Sequence, residues 1–589
     1  MLKKLAKCLR EYKRDSLLTV LCMVVEAGME VLIPLLISFF GKCVQPVGGG
    51  EPNVQGMILY GCLMVAAAVV SLIAGMLGGK FCASASAGFA KNLRHDMFVN
   101  VQGFSFSNID KFSSSSLVTR LTTDITNVQM SFMMLIRTAI RSPLLLIFSI
   151  IMSFFVSPTL PVIFFVTVPF LGFGVAFIAY KAMPIFRRLF KRYDAMNESV
   201  QENIKGMRVV KAYVREDYES KKFASVSNDL AKDFTKAERI LAFNSPIMQI
   251  CVQGALIALA YFGSRIVLFG NGELDAFGLQ SLTTYSFQIL MALMMISMVF
   301  VMMVMSVESA RRIVEVLDEN SDLTNPANPV EEVKNGDVEF DGVSFKYSLE
   351  AEKFSLENVN LKIKSGQTIG ILGGTGSSKT TLVNLISRLY DVTEGTVKVG
   401  DVDVRDYDME VLRKSVAVVL QKNMLFQGTI KDNLRWGDEN ATDEQLVEAC
   451  KLAQADEFIR QFPKGYDTMI DQGGANVSGG QKQRLCIARA LLTKPKVLIL
   501  DDSTSAVDMK TDALLRDAFK KAIPDTTKII IAQRIASVMD ADEIVIMNNG
   551  RVDAVGTHDE LMKTSEIYKE IYEEQNKNTQ AGGGENEKE

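Results

Sequence analysis

Residues 368–382 read TIGILGGTGSSKTTL, and this stretch decides the fold of the C-terminal half of the chain. An apolar strand, a Gly-rich loop and the start of a helix follow one another in the order of a phosphate-binding loop. Residues 373–380 match the pattern GxxxxGKT, except that Ser378 stands where the last glycine belongs. In such a loop the amides cradle phosphate, Lys379 reaches the terminal phosphates, and Thr380 offers its hydroxyl to Mg²⁺.

The loop lies within a region where short β-rich runs alternate with helical segments, which is typical of an α/β domain. The first of these runs is VEFDGVSF at 338–345 and the last is EIVIM at 543–547. The predicted nucleotide-binding residues of the loop are Gly373, Gly374, Thr375, Gly376, Ser377, Ser378, Lys379, Thr380 and Thr381.

Two motifs further along the chain support the same chemistry. Residues 497–508, VLILDDSTSAVD, predict a buried strand that ends in Asp501, which is suited to holding a magnesium shell. Upstream, NVSGGQKQRL places Ser478 and two glycines at the start of a helix, where amides can meet an anion. A plain polar turn is the alternative, but the position between the phosphate loop and the acidic strand disfavours it. Tyr347 precedes the loop and is interpreted as a ring that stacks on adenine rather than as a core residue.

The N-terminal half is predicted to cross a membrane. Six apolar stretches have the length of about 20 residues that a bilayer demands. They occupy 16–40, 57–80, 133–156, 159–182, 245–269 and 277–304. The third and fourth are separated only by Ser157 and Pro158, which predicts a tight hairpin.

Basic residues set the predicted orientation of these spans. They are concentrated in the N-terminal segment and in the long stretches 81–130 and 183–244, whereas the other loops hold one basic residue, Lys42. The positive-inside rule then places both termini and the two long loops in the cytosol. Helical periodicity in the long loops predicts that the spans continue into the cytosol as helices. Residues 1–14 are predicted to form an amphipathic helix on the inner surface.

Ionisable residues inside the spans are candidates for a substrate cavity. Glu26 and Glu30 lie one helical turn apart in the first span, and Arg137 and Arg141 have the same spacing in the third. Such groups face a bundle interior or an aqueous cavity. They are interpreted either as an ion-pair set with arginines reaching the inner interface, or as a cavity that selects charged substrates. Flexible methionines of span six suit varied apolar ligands, although ordinary packing explains them as well; the candidates are Met291, Met295 and Met298.

Composition excludes several classes of protein. Among 589 residues, 64 basic and 68 acidic side chains give a net charge of −4, which argues against a nucleic-acid partner. Eight cysteines form no CxxC or Cys/His cluster, so neither a disulfide scaffold nor a zinc site is expected. The basic start leads into a long apolar stretch without a small-residue cleavage site, and no signal peptide is therefore expected.

The order of these motifs resembles that of the ATP-binding cassette (ABC) transporters, and nearly all of residues 1–575 resembles a bacterial half-transporter of the exporter type. The resemblance implies a multi-domain membrane protein: an all-α six-helix transmembrane domain with long cytosolic helical extensions, followed by an α/β P-loop ATP-binding cassette domain. The implied segments are an elbow helix at 1–14, a transmembrane domain at 15–318, a linker at 319–335, a nucleotide-binding domain at 336–575 and a disordered tail at 576–589.

The resemblance also implies roles for individual residues. Tyr347 matches the adenine-stacking position, 373–380 the Walker A loop, Asp501 the end of Walker B, and 505–508 the D-loop. ATP and Mg²⁺ are the implied cofactors, with the metal held by Thr380, Gln421 of the Q-loop and Asp501. The signature motif consists of Val477, Ser478, Gly479, Gly480 and Gln481. Stretches near 106–111 and 210–218 look like coupling helices that contact the nucleotide-binding domains.

In this family two nucleotide-binding domains enclose two ATP molecules, each between the Walker A loop of one chain and the signature of the other. The present chain departs from the family at two catalytic positions. Asp502 replaces the general-base glutamate, and Gln533 replaces the switch histidine. Aspartate is one methylene shorter, and a misplacement near 1 Å lowers a rate on the order of 10²-fold. Glutamine donates a hydrogen bond but carries no charge.

These departures predict retained ATP binding, impaired turnover and a heterodimer. This chain's Walker A loop would form a degenerate site, and its signature would complete the partner's hydrolytic site. The leading hypothesis is an exporter subunit for amphipathic, drug-like compounds in the bacterial cytoplasmic membrane, with the ATP-binding domain in the cytosol. The alternatives are a dedicated peptide or lipid exporter subunit, and a nucleotide-gated regulatory subunit with little turnover.

Overall fold

The structure is a computed structural model, and it describes residues 1–44, 51–269, 274–348, 351–502 and 509–583. The chain forms two compact units. The first combines Met1–Gln102 with Ser113–Glu319, and the second combines Gly103–Phe112 with Asn320–Glu589. The short segment at 103–112 was expected within the transmembrane domain, but it packs in the second unit.

Helices account for the first unit, because long apolar runs satisfy their backbone polar groups internally. The helices from the N-terminus to the end of this unit, together with α4 of the second unit, are α1 Leu2–Lys7, α2 Lys13–Val44, α3 Val54–Gln102, α4 Phe106–Phe112, α5 Ser114–Thr119, α6 Ile125–Ile136, α7 Thr138–Val156, α8 Val162–Lys205, α9 Met207–Ala212, α10 Glu216–Ala242, α11 Asn244–Phe269 and α12 Ala276–Asp318.

Six helical segments of the described chain are long and apolar enough to cross a membrane, which agrees with the six predicted spans. The 49 residues of α3 measure roughly 74 Å at 1.5 Å per residue, more than twice the hydrocarbon thickness of about 30 Å. Helices of this length must therefore continue outside the bilayer, as the periodicity of the long loops predicts. The elbow is less regular than expected: α1 ends before Arg10, whose φ of +36° breaks the helix.

Hydrogen bonds and ion pairs attach α12 to the turn that precedes α6. Asp124 is fully buried and accepts two hydrogen bonds from Arg312, at 2.7 Å from Nε and 2.5 Å from Nη2. Arg120 donates to the Arg312 carbonyl oxygen at 2.7 Å and to Glu315 at 3.0 Å. Residues 120–124 form a π-helical turn, an irregularity that widens the helix locally. The network joins two helical extensions within one unit.

The second unit contains the α/β domain, and its elements follow the predicted alternation. They are β1 Val338–Phe345, β2 Leu356–Ile363, β3 Thr368–Gly373, α13 Lys379–Ile386, β4 Glu394–Val399, β5 Val402–Asp403, α14 Met409–Ser415, β6 Val416–Val419, β7 Gly428–Thr429, α15 Ile430–Leu434, α16 Asp443–Leu452, α17 Asp456–Gln461, β8 Met469–Ile470, α18 Gly479–Leu492, β9 Val497–Asp501, α19 Met509–Ala522, β10 Thr527–Ile531, β11 Glu543–Asn548, β12 Arg551–Gly556, α20 His558–Thr564 and α21 Glu566–Gly583.

The main sheet places the predicted site residues at one edge. Its strand order is β12-β11-β3-β10-β9-β6, and β11, β3, β10, β9 and β6 are mutually parallel. The carboxyl ends of parallel strands share one edge of a sheet, which is where ligands bind in such folds. The phosphate loop follows β3, Asp502 follows β9, and Gln533 follows β10, so all three lie at this edge. A smaller antiparallel sheet has the order β2-β1-β4-β5.

The structure adds detail at both ends of the α/β domain. The linker is bound to the domain: Asn325 donates to Asp408 at 2.6 Å and Arg388 donates to the Thr324 carbonyl oxygen at 3.2 Å. At the other end α21 continues to Gly583, so the helix extends beyond residue 576, where the disordered tail was expected to begin. Its polar residues suit an exposed helix as well as a coil. Residues 584–589 lie outside the described residues.

Candidate functional site

The phosphate loop has the backbone conformation that its sequence pattern requires. Gly373 has a φ of +153°, and a β-carbon there would lie 2.2 Å from the Met547 carbonyl oxygen. Ser378 adopts a φ of +70°, the left-handed conformation of the glycine that it replaces, and immediately precedes α13. A left-handed non-glycine residue is less stable by about 1–2 kcal/mol. The substitution therefore retains the turn at a modest energetic cost.

Lys379 lies within the loop. Its ammonium group donates to the carbonyl oxygens of Gly373 and Gly374, each at 2.9 Å, and to the Ser377 hydroxyl at 3.2 Å. Burial lowers the pKa of Lys379, and the negative charges of Asp501 and Asp502 oppose that shift. A partly buried cation beside the loop amides and the helix start is the donor set that phosphate groups require.

Thr380 and Asp501 form an oxygen pair beside this cation. The Thr380 hydroxyl donates to Asp501 Oδ1 at 3.1 Å, and Asp501 is 2% exposed. Burial raises the pKa of Asp501, and neighbouring Asp502 adds to the rise, while Thr380 and Lys379 oppose it. A hydroxyl and a carboxylate are the hard oxygen ligands that Mg²⁺ prefers, so these residues fit a nucleotide-bound magnesium ion.

Asp502 brings the three predicted catalytic positions together. Its Oδ2 accepts a hydrogen bond from Gln533 Nε2 at 2.7 Å and another from Gln421 Nε2 at 3.3 Å. The backbone of Asp502 is left-handed, with a φ of +47°, and its amide donates to the Ile531 carbonyl oxygen of β10 at 3.1 Å. The backbone of Asp502 is thus anchored to β10, and its carboxylate is shared by two side-chain amides.

Tyr347 is half exposed, which does not fit a core residue. Its hydroxyl lies 2.9 Å from Thr381 Oγ1, at the start of α13. Its ring meets Phe345 and Tyr390 edge to face, with centroids 4.9 Å and 5.2 Å apart. The ring is therefore fixed beside the phosphate loop and keeps exposed surface for a planar ligand.

Tyr390, which the sequence analysis missed, joins this ring to α4. Its hydroxyl donates to Asp110 at 2.8 Å, and its ring lies 6.0 Å from that of Phe106. Burial and the negative Asp110 raise the pKa of Tyr390. This contact agrees with the prediction that residues 106–111 touch the nucleotide-binding domain. The second predicted coupling segment contains α9 in the first unit, and its contact stays a prediction.

The signature residues cap their own helix. Ser478 Oγ accepts from the Gln481 amide at 3.3 Å, and Gln481 Oε1 accepts from the Ser478 amide at 2.9 Å. This reciprocal cap fixes the N-terminus of α18, whose first amides have no partner within the helix. Val477 is buried, and Gly479 and Gly480 form the first turn. The D-loop residues 505–508 lie outside the described residues.

The Q-loop carries an exposed aromatic pair. Phe426, five residues after Gln421, stacks on Trp436 with ring centroids 4.1 Å apart and an interplanar angle of 8°. Trp436 is 64% exposed. Asn433 fixes this loop, since its side chain both accepts from the Phe426 amide and donates to the Phe426 carbonyl oxygen.

The intramembrane charges form an ion-pair set. Arg141 lies 2.5 Å from Glu30 Oε2 and 3.4 Å from Glu26 Oε1, so that one guanidinium serves two carboxylates. Arg137 is exposed and forms no ion pair among the described residues. Met291 and Met298 are half exposed, and Met295 is partly buried. These contacts agree with the ion-pair interpretation. Two carboxylates, Glu26 and Glu30, face one guanidinium, so the cluster keeps an excess of negative charge.

Comparisons with known proteins agree with this fold and site. Residues 17–293 match the family described as ABC transporter transmembrane region, and residues 356–505 match the family described as ABC transporter. The Bacillus subtilis protein "Uncharacterized ABC transporter ATP-binding protein YfiB" is 35% identical over 98% of both chains. Another Bacillus subtilis protein, "Putative multidrug export ATP-binding/permease protein YgaD", is 30% identical over 98% of this chain and 100% of its own.

A solved structure of a bacterial Atm1-family ABC exporter with ATP bound has the same fold, with a TM-score of 0.80. It covers 96% of this chain and 99% of its own at 21% identity. The transmembrane region and the ATP-binding domain are thus fused in one polypeptide, with the fold of an ABC exporter. The chain belongs to the ABC transporter family.

Proposed function

We propose that this chain is one subunit of a heterodimeric ABC exporter and that its own Walker A loop forms an ATP-holding, weakly hydrolytic site. The observation that carries the proposal is the environment of Asp502. A general base must bring a carboxylate oxygen within hydrogen-bond reach of the attacking water. Here Oδ2 of the shorter carboxylate already accepts two amide hydrogen bonds.

The groups that bind nucleotide are retained beside this altered carboxylate. Lys379 lies in the phosphate loop, Thr380 meets Asp501, and Tyr347 presents an exposed ring. Binding depends on these groups, whereas hydrolysis depends on a base aimed at water. ATP and Mg²⁺ therefore bind this chain, and slow turnover is expected at its own site.

The signature supports a contribution to a second site. The cap between Ser478 and Gln481 presents the first amides of α18 at a helix N-terminus, where a phosphate of a partner's nucleotide can bind. A partner with a glutamate base and a switch histidine would then hydrolyse ATP against this chain's signature. Assembly as a heterodimer in a bacterial cytoplasmic membrane, with the ATP-binding domain in the cytosol, completes the proposal.

The proposed cargo is an amphipathic, drug-like compound. The relative YgaD is named for multidrug export. Exposed methionines of α12 suit apolar ligands of varied shape, and the excess of carboxylates around Arg141 favours cationic ones. ATP binding and hydrolysis would drive this cargo outward by alternating access.

ATPase activity of the purified chain, alone and co-purified with the half-transporter encoded next to it, tests this proposal. We expect substrate-stimulated activity only in the pair, and loss of that activity when the partner's base glutamate is changed to glutamine. The corresponding change in this chain, Asp502→Asn, serves as the matched control and should leave most of the activity of the pair. Robust turnover by this chain alone would overturn the proposed asymmetry. A pair that binds ATP but moves no cargo would indicate a regulatory subunit.

Tyr390→Phe is expected to lower the amount of cargo moved per ATP hydrolysed about fivefold. The change removes a hydrogen bond to a charged partner, Asp110, and keeps the ring contacts. Cargo moved per ATP hydrolysed, measured with the pair in proteoliposomes, checks this. Nucleotide affinity should not change, since Tyr347 is retained. Asp110→Ala, which removes the acceptor, should give a similar loss, and the two changes should not add. Unchanged coupling in Tyr390→Phe would contradict the role given to this contact.

A further inference from the structure

The C-terminal helix reaches back to the loop that carries Gln533. The side chain of Gln575, in α21, donates from Nε2 to the Gln533 carbonyl oxygen at 2.8 Å. Its Oε1 accepts from the Ile535 amide at 2.9 Å. The side-chain amide of Gln575 thus pairs with a carbonyl oxygen before Arg534 and with a backbone amide after it. These two hydrogen bonds hold the backbone on both sides of Arg534 in a fixed orientation.

Gln533 is fixed from its other side by the sheet. β10 ends at Ile531, and the amide of Ala532 donates to the Ile371 carbonyl oxygen of β3 at 3.2 Å. The backbone of Gln533 therefore lies between an anchor on the sheet and the anchor on Gln575. Its side chain extends from this fixed backbone to Asp502 at 2.7 Å. The position of Gln533 thus depends on a residue 42 positions later in the chain.

The two hydrogen bonds of Gln575 are not needed to attach α21 to the domain. Tyr568 in the same helix is fully buried and its hydroxyl lies 2.6 Å from His558 Nδ1 of α20. Ile567, Ile571 and Tyr572 add apolar contacts with the core. Because burial of this kind dominates docking, the contacts of Gln575 with the loop have a local effect on Gln533 rather than a global one.

We propose that Gln575 is a positioning residue of this chain's nucleotide site. It holds Gln533 at the edge of the sheet where the γ-phosphate of bound ATP would lie, and so lengthens the time for which ATP is retained. The inference rests on the proposed binding of ATP by this chain. It assigns to the C-terminal helix control over the duration of the nucleotide-bound state.

Release of [α-³²P]ATP from the full-length chain, purified in detergent with Mg²⁺, tests this role. Gln575→Met has similar volume and helix propensity but removes both hydrogen bonds; release should be about fivefold faster, as expected for the loss of one to two neutral hydrogen bonds. Gln575→Glu still accepts from Ile535 but turns a carboxylate oxygen toward the Gln533 carbonyl oxygen, so it should release ATP at least as fast as Gln575→Met. Glu574→Met, at the exposed neighbouring position, is the matched control and should release ATP like the wild type.

A double-mutant cycle separates positioning from general stabilisation. If Gln575 acts through Gln533, the effect of Gln575→Met should disappear in a Gln533→Ala background, and the melting temperature should be unchanged. Wild-type retention in Gln575→Met, or an undiminished effect in the Gln533→Ala background, would overturn the inference. A wild-type chain that retains no ATP would instead overturn the proposed function, and the inference with it.

Discussion

Replacing Asp502 by glutamate and Gln533 by histidine is expected to raise ATP hydrolysis at this chain's own site by about 10²-fold. Glutamate adds the methylene that carries a carboxylate toward the attacking water. Histidine removes the shorter of the two amide hydrogen bonds that Asp502 Oδ2 accepts, the one at 2.7 Å, and leaves the one from Gln421 at 3.3 Å. The two changes act on one contact, so their combined effect should exceed the sum of the single effects.

The measurement is steady-state phosphate release by the pair in which the partner's base glutamate has been changed to glutamine, so that only this chain's site can turn over. Asp502→Glu alone should recover part of the rate, because the amide of Gln533 remains. Gln533→His alone should recover little, because the carboxylate stays too short. A double variant that hydrolyses no faster than the wild type would show that other residues limit this site.

Asp124→Ala is expected to destabilise the transmembrane unit by about 3 kcal/mol, which is at the lower end of the range for breaking a buried ion pair. Asp124 is fully buried, whereas the Arg312 side chain is 38% exposed, and this exposure moderates the loss. The change removes the buried carboxylate that accepts two hydrogen bonds from Arg312 beside the π-helical turn. The melting temperature of the purified chain in detergent should therefore fall by several degrees.

An exposed pair on the same helix provides the control. Glu308 and Arg311 lie 2.5 Å apart, but their side chains are 55% and 63% exposed. Glu308→Ala should therefore change stability by at most about 0.5–1 kcal/mol. Asp124→Leu combined with Arg312→Met should be less harmful than Asp124→Ala, since apolar groups replace both members of the pair. Equal losses of stability in Asp124→Ala and Glu308→Ala would show that burial does not increase the contribution of the Asp124–Arg312 pair to stability.

Local patterns in the sequence predict most of the fold. Apolar stretches of bilayer length predict the six spans, and β-rich runs predict the strands that bear the site, because both depend on neighbours in the chain. The strands β2, β6 and β12 were not among the predicted β-rich runs; β6 has only four residues and carries little periodic signal. The continuation of α21 to Gly583 was also missed, because a polar composition suits a solvated helix as well as a coil.

Contacts between distant residues explain what the sequence could not predict at the site. The motifs predict that Asp502, Gln421 and Gln533 lie near one another, yet the sharing of Asp502 Oδ2 by two amides depends on side-chain geometry. Tyr390 and Asp110 are 280 positions apart, so their contact has no local signal. Gln575 falls in a polar helix without any motif. Such contacts arise from packing, and a single sequence does not record them.

The stacked pair of Phe426 and Trp436 gives the chain an intrinsic fluorescent probe close to the Q-loop. The chain contains one tryptophan, so all of its indole emission comes from Trp436. This ring stacks on Phe426 and is largely exposed, and Phe426 follows Gln421 by five residues. Any movement of the Q-loop on nucleotide binding would change the polarity and quenching around that one ring. If the Q-loop moves on nucleotide binding, the emission of Trp436 would report that movement without any added label.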